Sequence, residues 1–241
     1  MFAIVNVEEC ELRSPRERYR EQVRDEVKAH AWRQVATTGA TALSLNAIAK
    51  QMGVSGPALY RYFASRDELI TALILDAYRD LSTAGQAAAA AAKTPAAQLA
   101  AIALAIREWA LAEPHRYLLI YGTPVPGYVA PTEATTLAAS LMALLLDAFA
   151  DIPSTPGSKS ATALEKHLAT HRDWAGNEHA GDSALHRALA FWTRVHGVLS
   201  LELAGHFVGM AFDPALLYAA EVDAAITENA EQGRGRPAPA R

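Results

Sequence analysis

An all-α fold is what this sequence predicts, and three observations predict it. Apolar residues recur at helical spacing, from Val23, Val27, Ala31 and Val35 near the start to Leu185, Leu189 and Trp192 near the end. Alanine and leucine dominate while Val, Ile and Thr are scarce, which favours helix over sheet. Proline and glycine stand at the edges of the periodic stretches, as Pro15, Gly39, Gly53, Pro57, Pro95 and Pro114 do. With 241 residues and 51% hydrophobic content, the chain is long enough for a sizeable core.

The elements follow in order. Residues 1–14 lack periodicity and are expected to form a loose arm. A helix is predicted from Pro15 to about Thr38, ended by Gly39. Ser44 is a candidate N-cap for "LNAIAKQM", which puts Leu45, Ile48 and Met52 on one face. Gly53 can adopt the left-handed backbone that ends this short helix. Ser55 is expected to cap the next helix, with Pro57 in its first turn, where a missing N–H costs little. Ser65-Arg66-Asp67-Glu68 reads as a capping box opening a fourth helix to about Ala84. Two very short helices joined by a glycine turn form a helix-turn-helix pattern over residues 15–65, with the start of a connecting helix at 66–84. Helices that short are unstable alone. They must lean on their neighbours through Ile48, Met52, Val54, Leu59, Phe63 and Leu69.

Residues 85–231 are predicted to be a second helical domain. Helices are expected from Thr94-Pro95 to Leu111, from Pro114 into "YGTPVPGY", over 133–150, over about 183–207 and over 214–231. The 133–150 helix is apolar on nearly every side and is expected to be buried. Residues 151–181 carry the weakest signal; a short helix around Ala163–Thr170 and an otherwise irregular, mobile stretch are expected. Residues 232–241, "GRGRPAPAR" and its preceding residue, read as a disordered tail.

Charge and composition narrow the function classes. The formal net charge is −4. Residues 13–80 carry eleven Lys/Arg against eight Asp/Glu, whereas the flanking segments are acidic, so a polyanion would bind near the N-terminal end. The single cysteine, Cys10, permits no intrachain disulfide and fits a reducing, cytoplasmic setting. "MFAIVNVEECEL" lacks a basic leader, and the charge-free run Ala134–Leu146 is too short to span a bilayer. No Ser/His/Asp triad, phosphate-binding glycine loop or dinucleotide fingerprint is present, so an enzyme is not expected and no cofactor is implied. His167 and His171 have metal-ligand spacing, but no carboxylate–His motif or cysteine accompanies them, and a solvated helix is the expected reading.

The stretch "GVSGPALYRYF" is where chemistry concentrates. Its inner face is Leu59 and Phe63. Ser55, Gly56, Ala58, Arg61 and Tyr62 oppose them, with Tyr60 at the edge. A tyrosine is rigid, packs through its ring and ends in a hydroxyl that suits a phosphate backbone. Arg61 can reach a guanine edge bidentately, or a phosphate. Gly56 and Pro57 have little bulk, which allows a helix N-terminus to approach DNA closely. The residues alone also permit a packed three-helix corner with Tyr60 and Tyr62 half-buried.

"TTGATALSLNAIAKQMGVSGPALYRYFASRDELITAL" resembles the N-terminal domain of the TetR/AcrR family of bacterial transcriptional regulators. The matching frame is Gly39, Ser44, Ile48-Ala49, Gly53-Val54-Ser55, Leu59-Tyr60, Tyr62-Phe63, Ser65-Arg66 and Leu69. The resemblance implies a homodimer, double-stranded operator DNA with two half-sites and a small-molecule effector. Position by position it implies that Ser44, Ser55, Tyr60, Tyr62 and Arg66 touch phosphates, and that Asn46, Gly56, Pro57, Ala58 and Arg61 face bases. Many members have Lys at the place of Gly56 and Thr or Ser at that of Ala58, which shifts direct readout here onto Arg61 and Asn46. Arg13, Arg16 and Arg18 either supplement phosphate contacts or form a solvated arm.

"FWTRVHGVLSLELAGHF" looks like the WHG type of C-terminal domain in that family, named for Trp192, His196 and Gly197, and "EPHRYLLIYGTPVPGY" resembles the same subgroup. In the helices that such a domain uses to line its cavity stand Trp109, His115, Tyr117, Tyr121 and Tyr128, which suit a largely apolar pocket with a few polar anchors. Ordinary core packing is their other reading. Leu185, Leu189, Trp192, Val195, Leu199 and Leu203 form an apolar stripe, followed by one of Leu216, Ala220, Val222 and Ile226. Two such helices from each subunit would build a four-helix dimer interface. The resulting expectation is a DNA-binding repressor released by a small molecule, with no membrane partner. Its rival is a DNA-binding interaction protein governed by a protein partner without an effector.

Overall fold

The computed structural model describes residues 14–153, 159–175, 177 and 179–231. Of the expected arm over residues 1–14, residues 1–13, with Cys10 and Arg13, lie outside the described residues, as does the expected tail over 232–241. Among the described residues there are ten α-helices, one 3-10 turn and no strand. The chain divides into two compact units, one within Met1–Asp76 plus Leu118–Ala130 and the other within Ala77–Tyr117 plus Pro131–Arg241.

The first unit begins with α1, Pro15–Thr38. Ser14 caps it reciprocally: its hydroxyl oxygen accepts from Glu17 N at 3.3 Å, and the Glu17 carboxylate accepts from Ser14 N at 2.8 Å. The buried face is Val27, Ala31, Trp32 and Val35, whereas Tyr19 stays 63% exposed. Gly39, at φ 80°, turns the chain into a 3-10 turn, Ala40–Ala42. Helix α2, Leu45–Met52, starts at Ser44, whose hydroxyl oxygen accepts from Ala47 N at 3.3 Å. It ends at Gly53, in the left-handed conformation at φ 69° and ψ 22°.

Helix α3, Gly56–Leu59, is only four residues long and continues as turns through Tyr62. Ser55 has the extended N-cap backbone but makes no side-chain cap bond, contrary to expectation. Its carbonyl instead accepts from Ala58 N at 3.0 Å and Leu59 N at 3.3 Å, which satisfies donors a side-chain cap would have taken. Leu59 and Phe63 are buried to 1% and 0% exposure. Each such side chain contributes about 1.5–3 kcal/mol relative to exposure, and this anchors the short helix.

Helix α4, Arg66–Ala91, overruns its expected end at Ala84. Alanine has the highest helix propensity, so the run after Gln86 extends the helix rather than breaking it. At its start Ser65 Oγ accepts from Glu68 N at 3.0 Å, and the Glu68 carboxylate reaches Ala64 N at 2.6 Å. Lys28 ties α1 to α4 through Asp76 at 2.8 Å.

The second unit holds the C-terminal part of α4 with α5, Pro95–Ala112, the start of α6, Pro114–Tyr121, and α7, Thr132–Ala150. It continues with α8, Lys159–Ala169, α9, Asp182–Leu203, and α10, Pro214–Glu231. Leu99, Ile102, Leu145, Leu146, Phe149 and Leu185 are wholly buried in it. A Cβ on Gly85 would lie 3.0 Å from Leu141 Cδ1, so glycine there allows α4 and α7 to approach closely.

One expectation about this unit is corrected. Helix α7 is buried along one stripe, with Leu141, Leu145, Leu146 and Phe149, while Glu133, Thr135 and Thr136 are exposed. At 19 residues and a mean hydropathy of 1.4 it is also long and apolar enough to cross a membrane by those criteria alone; here its apolar stripe packs into the unit's core. In the stretch 151–181 the short helix expected around Ala163–Thr170 is present as α8 and starts earlier, at Lys159, and defined contacts follow it. Arg172 donates to Ala180 O at 2.6 Å, and Asn177 Nδ2 donates to Asp147 Oδ1 at 2.8 Å. Buried Arg187 donates to Phe149 O at 2.6 Å and Ile152 O at 3.0 Å, placing a cation against the C-terminal carbonyls of α7.

Candidate nucleic-acid interface

The candidate interface is the outer faces of α2 and α3. The anchors fix its geometry: Leu45, Ile48 and Ala49 of α2 and Leu59 of α3 are buried, so the remaining positions point outwards. Asn46, Ser55, Pro57, Tyr60 and Arg61 are exposed; Ser44, Gly56, Ala58, Tyr62 and Arg66 are half-buried. Tyr60 keeps 44% of its surface exposed, whereas a packed corner would have covered it. The Arg61 guanidinium makes no hydrogen bond or ion pair with the described residues, which leaves its donors available to an anionic or guanine partner.

Two of these residues meet. A Cβ built on Gly56 would stand 3.2 Å from Asn46 Oδ1. The first residue of α3 therefore lies against a side chain of α2, and glycine leaves room for it.

Arg66 is in a different position from that implied by the resemblance. Its Nε donates to Leu43 O at 3.2 Å, and its Nη2 donates to Ala40 O at 2.9 Å and Thr41 O at 3.1 Å. Asp67 lies 3.7 Å from Nη1. The guanidinium is held on the 3-10 turn before α2. A carbonyl oxygen can accept more than one hydrogen bond, and Ala40 O also takes Leu43 N at 3.3 Å. Tyr62 is likewise half committed: its carbonyl accepts from Arg24, whose guanidinium also sits 3.9 Å from the Phe63 ring centre and 3.3 Å from Glu68.

The five residues expected to line an effector pocket do not form one lining within a unit. Tyr121 and Tyr128 belong to the first unit, where the Tyr128 hydroxyl lies 3.0 Å from Thr71 Oγ1. Trp109, His115 and Tyr117 belong to the second. Trp109 and His115 are half-buried and Tyr117 is fully buried. The Tyr117 hydroxyl lies 3.0 Å from His196 Nδ1 and 2.9 Å from Ser200 Oγ. The Trp192 ring covers His196 at 4.7 Å. Burial pushes the His196 pKa down to about 4, so the imidazole is neutral at physiological pH. Sequence spacing pairs Trp192 with His196 on one helix. It carries no signal that Tyr117, 79 positions earlier, is the histidine's partner.

The apolar stripe expected at a subunit interface also divides. Leu185, Val195 and Leu199 are at most 2% exposed within one protomer and belong to its core. Leu189, Trp192 and Leu203 are only half-buried within the protomer. Both faces of α9 are apolar, and periodicity alone does not say which one turns inward. Sequence reasoning missed exposed Leu201, Val208, Met210 and Phe212, most of which lie in the connection between α9 and α10, where no periodic signal exists. His167 and His171 stack at 4.1 Å, with His171 Nδ1 3.0 Å from His167 O, and no group of three metal-ligating side chains occurs among the described residues.

Comparison with known proteins places these features. Residues 29–73 match the family model "Bacterial regulatory proteins, tetR family", and residues 99–225 match "Tetracyclin repressor-like, C-terminal domain". The HTH-type transcriptional regulator Rv1816 of Mycobacterium tuberculosis is 32% identical over 228 residues, covering 88% of this chain and 94% of that protein. The solved structure of the protein SCO4313 is 59% identical, with a TM-score of 0.79 and coverage of 88% of this chain and 98% of that one. The TetR-family transcriptional regulator PfmR of Thermus thermophilus shares the fold at a TM-score of 0.54 and 15% identity, over 87% of this chain and 99% of that one.

Proposed function

Because the chain belongs to the TetR family of transcriptional regulators, and so is a regulator rather than an enzyme, we propose that it is a cytoplasmic homodimeric repressor. Each subunit places α3 in the major groove of one operator half-site, and a small molecule in the C-terminal domain releases the dimer. The observation that carries this reading is the exposed, uncommitted guanidinium of Arg61 between two tyrosines on an anchored four-residue helix. Asn46 and Arg61 read bases, and Tyr60, Tyr62, Ser44 and Ser55 position the helix on phosphates. Arg66 acts behind them, on the turn that orients α2.

The dimer surface in this reading is Leu189, Trp192 and Leu203 of α9 with the exposed apolar residues between α9 and α10. Effector recognition uses Trp109, His115 and the Tyr117–His196–Ser200 network, in surroundings apolar enough to favour a largely apolar ligand. The domain limits follow the two functions: residues 15–65 bind DNA, and 85–231 sense and dimerise.

Selection of bound fragments from the protein's own genome tests the reading. A palindromic sequence with half-sites about one helical turn apart, bound by a dimer, is the expected result. Absence of any enriched sequence would refute it. If the operator is found but no small molecule releases it, a protein partner is the regulator instead.

A further inference from the structure

We propose that the first unit carries a ligand site of its own: a groove between α1 and the helix-turn-helix that takes a small organic cation with an apolar body. The groove has a volume of about 290 Å³ and is lined by Tyr19, Val23 and Glu26 of α1 and by Met52, Val54 and Tyr62, with Ala58 and Leu59 completing it. Tyr19, Val23 and Glu26 are spaced i, i+4, i+7, so one face of α1 supplies one wall. Two large apolar side chains of the lining, Tyr19 and Val54, are left 63% and 41% exposed.

Charge selects the occupant. Glu26 is exposed and makes no hydrogen bond or ion pair with the described residues. The cations next to it on α1 are committed elsewhere. Arg24 bonds to the Tyr62 carbonyl and Glu68, and Lys28 pairs with Asp25 at 2.9 Å and Asp76 at 2.8 Å. An unneutralised carboxylate beside two phenol rings and aliphatic side chains attracts an ammonium group electrostatically and through the aromatic faces. The same carboxylate repels an anion. The volume sits at the small end of ligand pockets, about 300–1,000 Å³, and suits one ring with a short aminoalkyl chain. Because Ala58, Leu59 and Tyr62 belong to the recognition segment, a ligand that favours one setting of Tyr62 is coupled to DNA binding by the same free energy in both directions. The site stands on its own geometry and does not depend on an effector in the second unit.

The test uses the full-length protein carrying ¹³C-methyl methionine, titrated with phenethylammonium and with its uncharged analogue 2-phenylethanol. The Met52 methyl resonance should shift saturably with phenethylammonium while those of Met142 and Met210 stay in place. The alcohol should bind at least about tenfold more weakly, the size of effect a single well-placed charge produces. Glu26→Gln, at an exposed unpaired position where the fold has nothing to lose, should erase that preference. A Met52 resonance that does not saturate at millimolar cation overturns the proposal. So does equal binding of the alcohol, an unaltered preference in the Glu26→Gln protein, or a response confined to Met142 or Met210.

Discussion

Asn46 and Gly56 share one small space: the Asn46 side-chain oxygen lies 3.2 Å from where a Cβ on residue 56 would stand. The Asn46 amide therefore lies beside the first residue of α3. Gly56→Ala should push this amide aside by a few tenths of an ångström. The fold should tolerate it, since Gly→Ala in a helix gains about 0.5–1 kcal/mol of propensity that offsets the crowding. Operator selectivity should fall nonetheless, at the base pair nearest Asn46. Thermal melting together with binding to operator variants checks this; unchanged selectivity would remove Asn46 from base readout.

Arg61 and Tyr60 separate specifying from positioning. Arg61→Ala should lower operator affinity by about 1–3 kcal/mol and relax one base pair per half-site. Tyr60→Phe keeps the ring and removes the hydroxyl, so operator and random DNA should weaken together and their ratio should hold. Both are measured at one fixed salt concentration. Equal weakening of both DNAs by Arg61→Ala would make Arg61 a phosphate clamp.

Arg66 should behave as a structural residue. Its bonds to the carbonyls of Ala40, Thr41 and Leu43 bind the turn before α2 to the start of α4. Charge-assisted hydrogen bonds contribute about 1.5–3 kcal/mol where shielded, and partial exposure reduces that here, so Arg66→Ala should destabilise the protein by about 1–2 kcal/mol. Arg66→Lys should not restore it, because an ammonium cannot span three carbonyls as a planar fork does. The salt dependence of DNA binding should stay the same, since no phosphate contact is lost. A shallower salt slope would return Arg66 to the DNA backbone.

Local chemistry explains what could be read in the sequence. Ser14 to Gly39, Ser44 to Gly53 and Thr94 to Ala112 each carry a cap, a periodic apolar face and a stop, and the structure contains those helices. Which side of α3 is exposed was legible too, because Leu59 and Phe63 fix which side of a short helix turns inward. The carbonyl partners of Arg66 were not legible, since every residue possesses a backbone carbonyl and no motif marks one. Tyr117 and His196 were each noticed, but their contact depends on how α6 and α9 pack. Leu185 and Leu199 were assigned to an interface because an apolar stripe looks alike whether it faces its own core or a second subunit.

That ambiguity yields a test of dimerisation. Leu203→Arg places a charge on a half-buried position and should give a folded monomer, with light scattering showing half the wild-type mass and circular dichroism unchanged. Leu199→Arg should instead unfold the second unit, because Leu199 is wholly buried in the protomer and an unpaired buried charge costs several kcal/mol. Val208→Asp, at an 85% exposed site, should weaken association without touching the fold. A wild-type protein that is monomeric at micromolar concentration would contradict the whole arrangement.

The buried histidine makes stability depend on pH in a definite direction. His196 packs against Tyr117, Ser200 and Trp192, and burial lowers its pKa from 6.5 to about 4. Between those values the unfolded chain binds a proton that the native protein excludes. The contribution is therefore fully present above about pH 6.5 and is lost as the pH falls towards 4. A shift of this size corresponds to a loss of up to about 3 kcal/mol, at 1.36 kcal/mol per pKa unit. His115, whose pKa burial also lowers, acts in the same direction, so wild-type data alone do not isolate His196. The comparison that does is urea denaturation of wild type and His196→Asn at about pH 7.5 and about pH 5, where linkage gives the difference. His196→Asn cannot titrate in this window and should be less stable at the higher pH, where it leaves a cavity and a weaker partner for the Tyr117 hydroxyl. It should lose distinctly less stability than wild type on going to the lower pH. Identical pH dependence in the two proteins would mean that His196 is protonated in the native fold or that acid opens the second unit around it.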